Sequence, residues 1–282
     1  MQTFDEETFF QNAVIKPPTK IDDNKRYTRI VVDSKDRDMT IYAEPNKYEI
    51  TLYDDIEDII TAQLLSSSIP LSGYIINSNH NTLAFKIGST VYNAVLDDGD
   101  YTASELASAL QTKMTAASGV AFTVAYSDKT GKLTISTVAT NFTLTIGASS
   151  NTTSLGKVLG FVMAKDYVST SYKVIAPAKV NLEYFKYIVM DIDGFDINKS
   201  SNTTLHKSFA VLGASQIKKN FNDSPEIKKS FKPPLARLYK IKVTFWDRDG
   251  NLYDFNGVDH WFELLFCSYK QNKKYVNIYA DR

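Results

Sequence analysis

The chain has 282 residues, of which 43% are hydrophobic, so it can bury an apolar core without covalent staples. Its 32 basic and 32 acidic residues cancel, which removes any global electrostatic drive towards nucleic acid or anionic membranes. A single cysteine, Cys267, excludes an intrachain disulfide and fits folding in a reducing compartment.

Residues 1–26 read as an N-terminal arm. Phe4, Phe9 and Phe10 are apolar anchors in a polar stretch, and Pro17 and Pro18 stop any helix there. Such an arm docks on a neighbour, folds back on its own domain or is simply disordered, and these readings stay open. The opening is acidic and lacks the basic and apolar regions of a signal peptide, and no apolar run is long enough to span a bilayer. Glycosylation sequons at Asn141, Asn151, Asn198 and Asn202 are therefore expected to go unused.

From Tyr27 the pattern favours strands: TRIVVD at 28–33, then NKYEITL at 46–52 with Tyr48, Ile50 and Leu52 on one face. The run 56–69 fits helix or strand by periodicity, and its SSSIP end favours strand. YIIN at 74–77, a turn SNHN and TLAFKI at 82–87 predict a hairpin. Residues 88–165 change character. Thr102 and Glu105 have capping-box spacing, Leu106, Leu110 and Met114 follow on one helical face, and Gly119 stands where the helix should end. FTVAYS (122–127), the turn DKTG and KLTIST (132–137) predict a second hairpin. FTLTI (142–146) and a short helix at 153–159, closed by Gly160, complete an α+β module inserted in a larger β scaffold.

The scaffold resumes with alternating residues at 180–192 and a strand at 207–213. Residues 214–234, lysine-rich and broken by Pro225, Pro233 and Pro234, read as a long loop. RLYKIKVTFWD at 237–247 sends Tyr239, Ile241, Val243 and Phe245 to one face. RDGN turns, LYDF (252–255) returns, HWFELLFCSY (260–269) has helical spacing, and YVNIY (275–279) follows. Trp246 and Trp261 fall in these core elements.

Residues that carry chemistry are sparse. His80, His206 and His260 form no ligand pattern with each other or with the cysteine, although His260 follows Asp259. Neither a phosphate-binding glycine loop nor a nucleophile elbow is present, and Cys267 follows an apolar run that suits a buried thiol. Calcium could be held by loop acids: Asp33, Asp36 and Asp38; Asp97, Asp98 and Asp100; or Asp191, Asp193 and Asp196. Solvated turn acids explain each equally simply. WDRDGNLYD resembles a calcium loop, but its glycine falls too early and no closing glutamate follows. Lys218, Lys219, Lys228, Lys229 and Lys232, interleaved with Phe221 and Phe231, could track phosphates; Asp223 and Glu226 dilute them, and a solvated loop with docked rings is the simpler account. The expectation is no catalytic, metal or cofactor-binding residue, hence a protein that is not an enzyme.

Four stretches carry a family resemblance. VVDSKDRD (31–38) with EPNKYEITL (44–52), LLSSSIPLSGYIINSNHNTLAF (64–85), the module segments at 98–114, 122–136 and 155–161, and residues 231–266 together resemble minor capsid proteins, including vertex (penton) proteins, of nucleocytoplasmic large DNA viruses. Similar strand-turn modules occur in phage tail and baseplate proteins. The resemblance implies an all-β single jelly roll, an antiparallel β-sandwich built from 27–87 and 166–282, with a small α+β domain inserted at 88–165. It departs from the major capsid proteins of these viruses, which are longer and carry two jelly rolls. It implies a subunit made in host cytoplasm and residing in the virion capsid. There it would assemble with major and minor capsid proteins and with its own copies, without specific nucleic acid or a transmembrane segment. Phe4, Phe9, Phe10, Tyr275 and Tyr279 are the expected subunit contacts. The alternative is a carbohydrate-binding or fibre/baseplate-type attachment module with surface aromatics as stacking platforms.

Overall fold

The structure is a computed structural model that describes residues 24–147, 154–163, 165–183, 187–213, 218–220 and 227–270. It is dominated by antiparallel strands. β1 (Lys25–Asp33) leads through a 3-10 turn at Ser34–Asp36 to β2 (Lys47–Ser68), a 22-residue strand that takes in all but the last residue of the ambiguous run 56–69. Between β2 and the rest of the scaffold lie β3 (Thr82–Ile87), β4 (Thr90–Val95), α1 (Ala103–Ser118), β5 (Phe122–Ser127), β6 (Lys132–Thr137), β7 (Thr143–Leu144), β8 (Tyr167–Val168) and β9 (Lys173–Ile175). The scaffold closes with β10 (Tyr187–Ile192), β11 (Ala210–Gly213), β12 (Lys218–Asn220), β13 (Lys228–Trp246) and β14 (Trp261–Tyr269).

The scaffold strands form one hydrogen-bonded system because β2 and β13 run beside each other for most of their lengths. Their partners divide it into two halves. The second half of β2 pairs with β14, which pairs with β1, while β12 lies on the other side of β2. The first half of β2 pairs with the end of β13, which pairs with β10, which pairs with β11. Numbering the eight segments in chain order, with β2 counted as the second and third, gives sheets ordered 1-8-3-6 and 2-7-4-5. That is the strand order of a jelly roll, two interleaved Greek keys. One core serves both sheets: Val32, Leu64, Phe262, Leu264 and Phe266 from the first meet Ile188, Met190, Leu212, Val243 and Phe245 from the second. Phe195 links them, edge-on to Phe209, Phe231 and Phe266 at 5.4–6.1 Å.

Three expectations for the closing segment are corrected. HWFELLFCSY forms β14, not a helix: Phe262, Leu264 and Phe266 alternate inwards, while Trp261, Leu265 and Cys267 take the other face. Apolar residues on both faces mimic helical spacing. Trp261 is also 41% exposed rather than part of the core. Residues 228–234 belong to β13, not to a loop. Pro233 and Pro234 are tolerated because the β2 register breaks there, between Ser230 and Leu235. A second register break, between Leu238 and Lys240, sends Leu238 inwards and Tyr239 out, while Ile241, Val243 and Phe245 are buried as expected.

The insertion has its own core. Leu106, Leu110 and Met114 on one face of α1 pack with Leu83, Phe85, Phe122, Val124, Leu133 and Ile135 from two small sheets, ordered β4-β3-β7-β8 and β5-β6-β9. Edge-on rings of Phe85, Phe122 and Phe142 sit 5.1–5.3 Å apart. α1 begins on the capping box of Thr102 and Glu105 and ends at Gly119 in the left-handed conformation, as its sequence requires. The hairpin at 122–137 forms with Ser127 opposite Lys132. The expected 74–87 hairpin does not. Ile76 makes only an isolated bridge to Gly99, and β3 turns instead through Gly88 and Ser89 into β4. Gly88, at φ +59°, suits the first position of a type II′ turn, whose twist matches that of the strands. The short helix at 153–159 is a 3-10 turn at Leu155–Lys157, capped by Ser154. Composition places this module at 88–165, whereas its core and the side chains packed on it run from Ile75 to Leu182.

Candidate functional site

A polar knot closes one end of the jelly roll, where the turn after β1 meets the start of β14. Arg37 is buried and donates to the carbonyls of Ser34, Tyr42 and Ala43 and to Asp259 Oδ1 at 2.7 Å. Ser34 Oγ donates to the same carboxylate at 2.8 Å and accepts the His260 backbone N–H at 2.9 Å. His260 Nε2 lies 3.1 Å from the Tyr48 hydroxyl, and its ring stands against Phe245 and Phe255. Serine, histidine and aspartate thus meet, but not as a nucleophile relay. The serine bonds the carboxylate directly, and the imidazole faces tyrosine. Burial lowers His260 to a pKa of about 4, so the ring is neutral at pH 7, and burial raises Tyr48. Burial opposes ionisation of Asp259 too, but the bonds from Ser34 and Arg37 keep its carboxyl below the usual range. The knot holds loops to the scaffold.

A second cluster joins the module to the scaffold. Asp249, in the turn after β13, receives Lys157 at 3.1 Å and faces His80 at 3.2 Å, both from the module. Asp247 braces that turn by accepting the N–H groups of Asp249 and Asn251 and the side chain of Asn251. Tyr253 OH accepts the Gly73 N–H at 2.9 Å, and burial pushes its pKa up to about 12. Beside these groups lies a cleft of about 50 Å³ lined by Tyr74, Asn77, Asn79, Asp98 and Tyr253.

The acidic trios have separate fates. Asp33 caps the 3-10 turn, and Asp38 accepts from Thr40, whose hydroxyl and N–H lower its pKa. Asp97 pairs with Lys113 at 2.9 Å and Asp100 accepts the Ile75 N–H. Asp191, Asp193 and Asp196 line an open groove of about 360 Å³ with His206 and Lys47, Lys207 and Lys242. Burial, then Asp196 and Asp193, raise the Asp191 pKa. Among the described residues no three acids, histidines or cysteines are placed to share a metal. Cys267 is buried and free.

The basic run is divided between strands. Lys228, Lys229 and Lys232 belong to β13, and Lys218 and Lys219 to β12; Phe221, Asp223 and Glu226 lie outside the described residues. Phe231 docks on the core, and Lys229 Nζ donates to the Asp196 carbonyl at 2.6 Å. The expected contacts Phe4, Phe9, Phe10, Tyr275 and Tyr279 also lie outside the described residues. Exposed rings that strand periodicity did not single out are Tyr27 and Tyr269 on the β1–β14 pair and Tyr53 and Tyr239 at the β2–β13 register break. Arg237 pairs with Asp55 and Lys240 with Glu49 around Tyr239, giving an aromatic centre with a charged rim. For Tyr239 the bulge is decisive, because it turns outwards a residue that alternation places with Ile241, Val243 and Phe245.

The fold and these surfaces define a jelly-roll protein that carries an inserted α+β module. Residues 20–224 match the Family of unknown function (DUF5901), and the chain belongs to that family. No curated protein matches it. Among solved structures the chain is similar to the crystal structure of the selenomethionine-labelled mavirus penton protein. The two share 10% identity over 86% of this chain and 99% of that one, with a TM-score of 0.44.

Proposed function

We propose that this chain is a structural virion protein, a minor capsid or penton (vertex) subunit of a large DNA virus that assembles with other capsid proteins into an icosahedral shell. The observation that carries the reading is the complete jelly-roll strand order, 1-8-3-6 against 2-7-4-5, around one shared core. Such double-sheet bodies are used as capsid building blocks. Exposed Tyr27, Tyr53, Tyr239, Trp261 and Tyr269 supply the large, stiff side chains that subunit interfaces use. On this reading the protein works by assembly and not by catalysis, and the Ser34–Asp259–His260 knot serves to fix loops. Imaging of assembled particles tests it. Density for this chain in a regular lattice position is expected, and its absence from particles would overturn the proposal.

A second reading, an attachment module for neutral saccharides, draws on the cleft between module and scaffold. Asn77, Asn79 and Asp98 offer hydroxyl-binding groups there beside Tyr74. Saturable glycan binding by a monodisperse monomer, lost in Asn79→Ala, would favour that reading over the first.

A further inference from the structure

We propose that the inserted module pairs with the module of a second copy of this chain by antiparallel strand addition at β4. β4 is the outer strand of its sheet, and its sequence TVYNAV carries neither charge nor proline. The two-residue turn makes Ile87 and Thr90 a bonded pair, and the antiparallel alternation then turns the N–H and C=O groups of Val91, Asn93 and Val95 outwards. Among the described residues they have no backbone partner on that side. Val91 is 60% and Val95 46% exposed.

The other six-residue edge of the module is treated differently. On β5 the Phe122 N–H is taken by Thr115 Oγ1 at 3.2 Å and the Val124 N–H by Gln111 Oε1 at 3.0 Å, both from α1. Outer strands of the scaffold are either charged or short, β11 having only four residues. β1 has Lys25, Arg26, Arg29 and Asp33, and the first half of β2 has Glu49, Asp54, Asp55 and Glu57. Charge and capping are how edges are kept from pairing, and β4 has neither.

The occupant is a second copy because the edge is complementary to itself. A two-fold axis at Asn93 sets Asn93 opposite the partner's Asn93 and Val91 opposite the partner's Val95, forming about six backbone hydrogen bonds with no like charges opposed. Lys86, opposite Val91 on β3, has no ion-pair partner among the described residues. The pairing brings it within side-chain reach of the partner's Asp97, whose carboxylate is largely exposed beside Lys113. This contact is independent of whether the jelly roll enters a shell.

The test uses the full chain. Hydrogen exchange at Val91, Asn93 and Val95 should slow with rising protein concentration. Asn93→Cys, on the axis, should give a covalent dimer with a short bifunctional thiol reagent, since directly opposed residues of a bonded pair have Cα atoms about 5.5 Å apart. The double variant Val91→Lys/Val95→Lys, which alters only exposed positions, should lose both the protection and the cross-link while melting as the wild type does. Concentration-independent exchange, or cross-linking of Asn93→Cys no greater than that of Ser127→Cys on the β5 edge, would overturn the proposal. So would protection that appears only when a different protein is added.

Discussion

His260 makes the stability of the scaffold depend on acid. In the unfolded chain an imidazole titrates near 6.5, whereas burial holds it at about 4 in the folded one. Between those values the unfolded chain binds a proton that the folded chain does not. The stabilisation is therefore complete above about pH 6.5 and is lost as pH falls towards 4. At about 1.4 kcal/mol per pH unit the full effect is about 3 kcal/mol, of which about 2 kcal/mol should be lost between pH 7 and pH 4.5. Asp259, held below its usual range, adds a second loss at lower pH with the same sign. Urea unfolding of wild type and His260→Gln at half-unit steps isolates the histidine. Glutamine can still reach Tyr48 but does not titrate, so the wild-type slope between pH 6.5 and 4 should flatten in the variant. Nuclear magnetic resonance should place the ring's own midpoint near 4. A midpoint above 6, or an unchanged slope in His260→Gln, would refute the assignment of a buried neutral ring.

Three further outcomes are expected. Arg37→Met should cost about 2–3 kcal/mol in urea unfolding, because it removes the buried guanidinium from three carbonyls, while partly exposed Asp259 keeps its bond from Ser34. Gly160→Ala should destabilise the chain by about 2–4 kcal/mol, read as a lowered melting temperature: the residue sits at φ +86°, and a methyl would strike the Ala178 and Lys179 carbonyl oxygens. Asp249→Ala should remove the contacts to His80 and Lys157 and cost only about 1 kcal/mol, yet raise hydrogen exchange and protease cleavage at 77–81 and 247–251.

Features set by neighbours along the chain could be read before any fold was known. The capping box of Thr102 and Glu105, the left-handed Gly119 and the hairpin closed by Gly131 depend on local hydrogen bonds and on φ angles that few residues tolerate. The scarcity of ligand-like histidines and cysteines was equally legible. Pairings between distant segments were not. HWFELLFCSY has apolar residues on both faces, and only β1 and β2, more than 190 residues earlier, hold it as a strand. Lys228 to Pro234 resembles a loop until β2 lies beside it and a register break accommodates the prolines. The surfaces depend on the same long-range contacts. Tyr239 faces solvent because of a bulge, and of the outer strands β4 and β5 only β5 has N–H groups taken by Thr115 and Gln111 of α1. Sequence determined the local turns and caps; tertiary structure decided which backbone edges found partners, since a strand's hydrogen bonds are satisfied by segments distant in the chain.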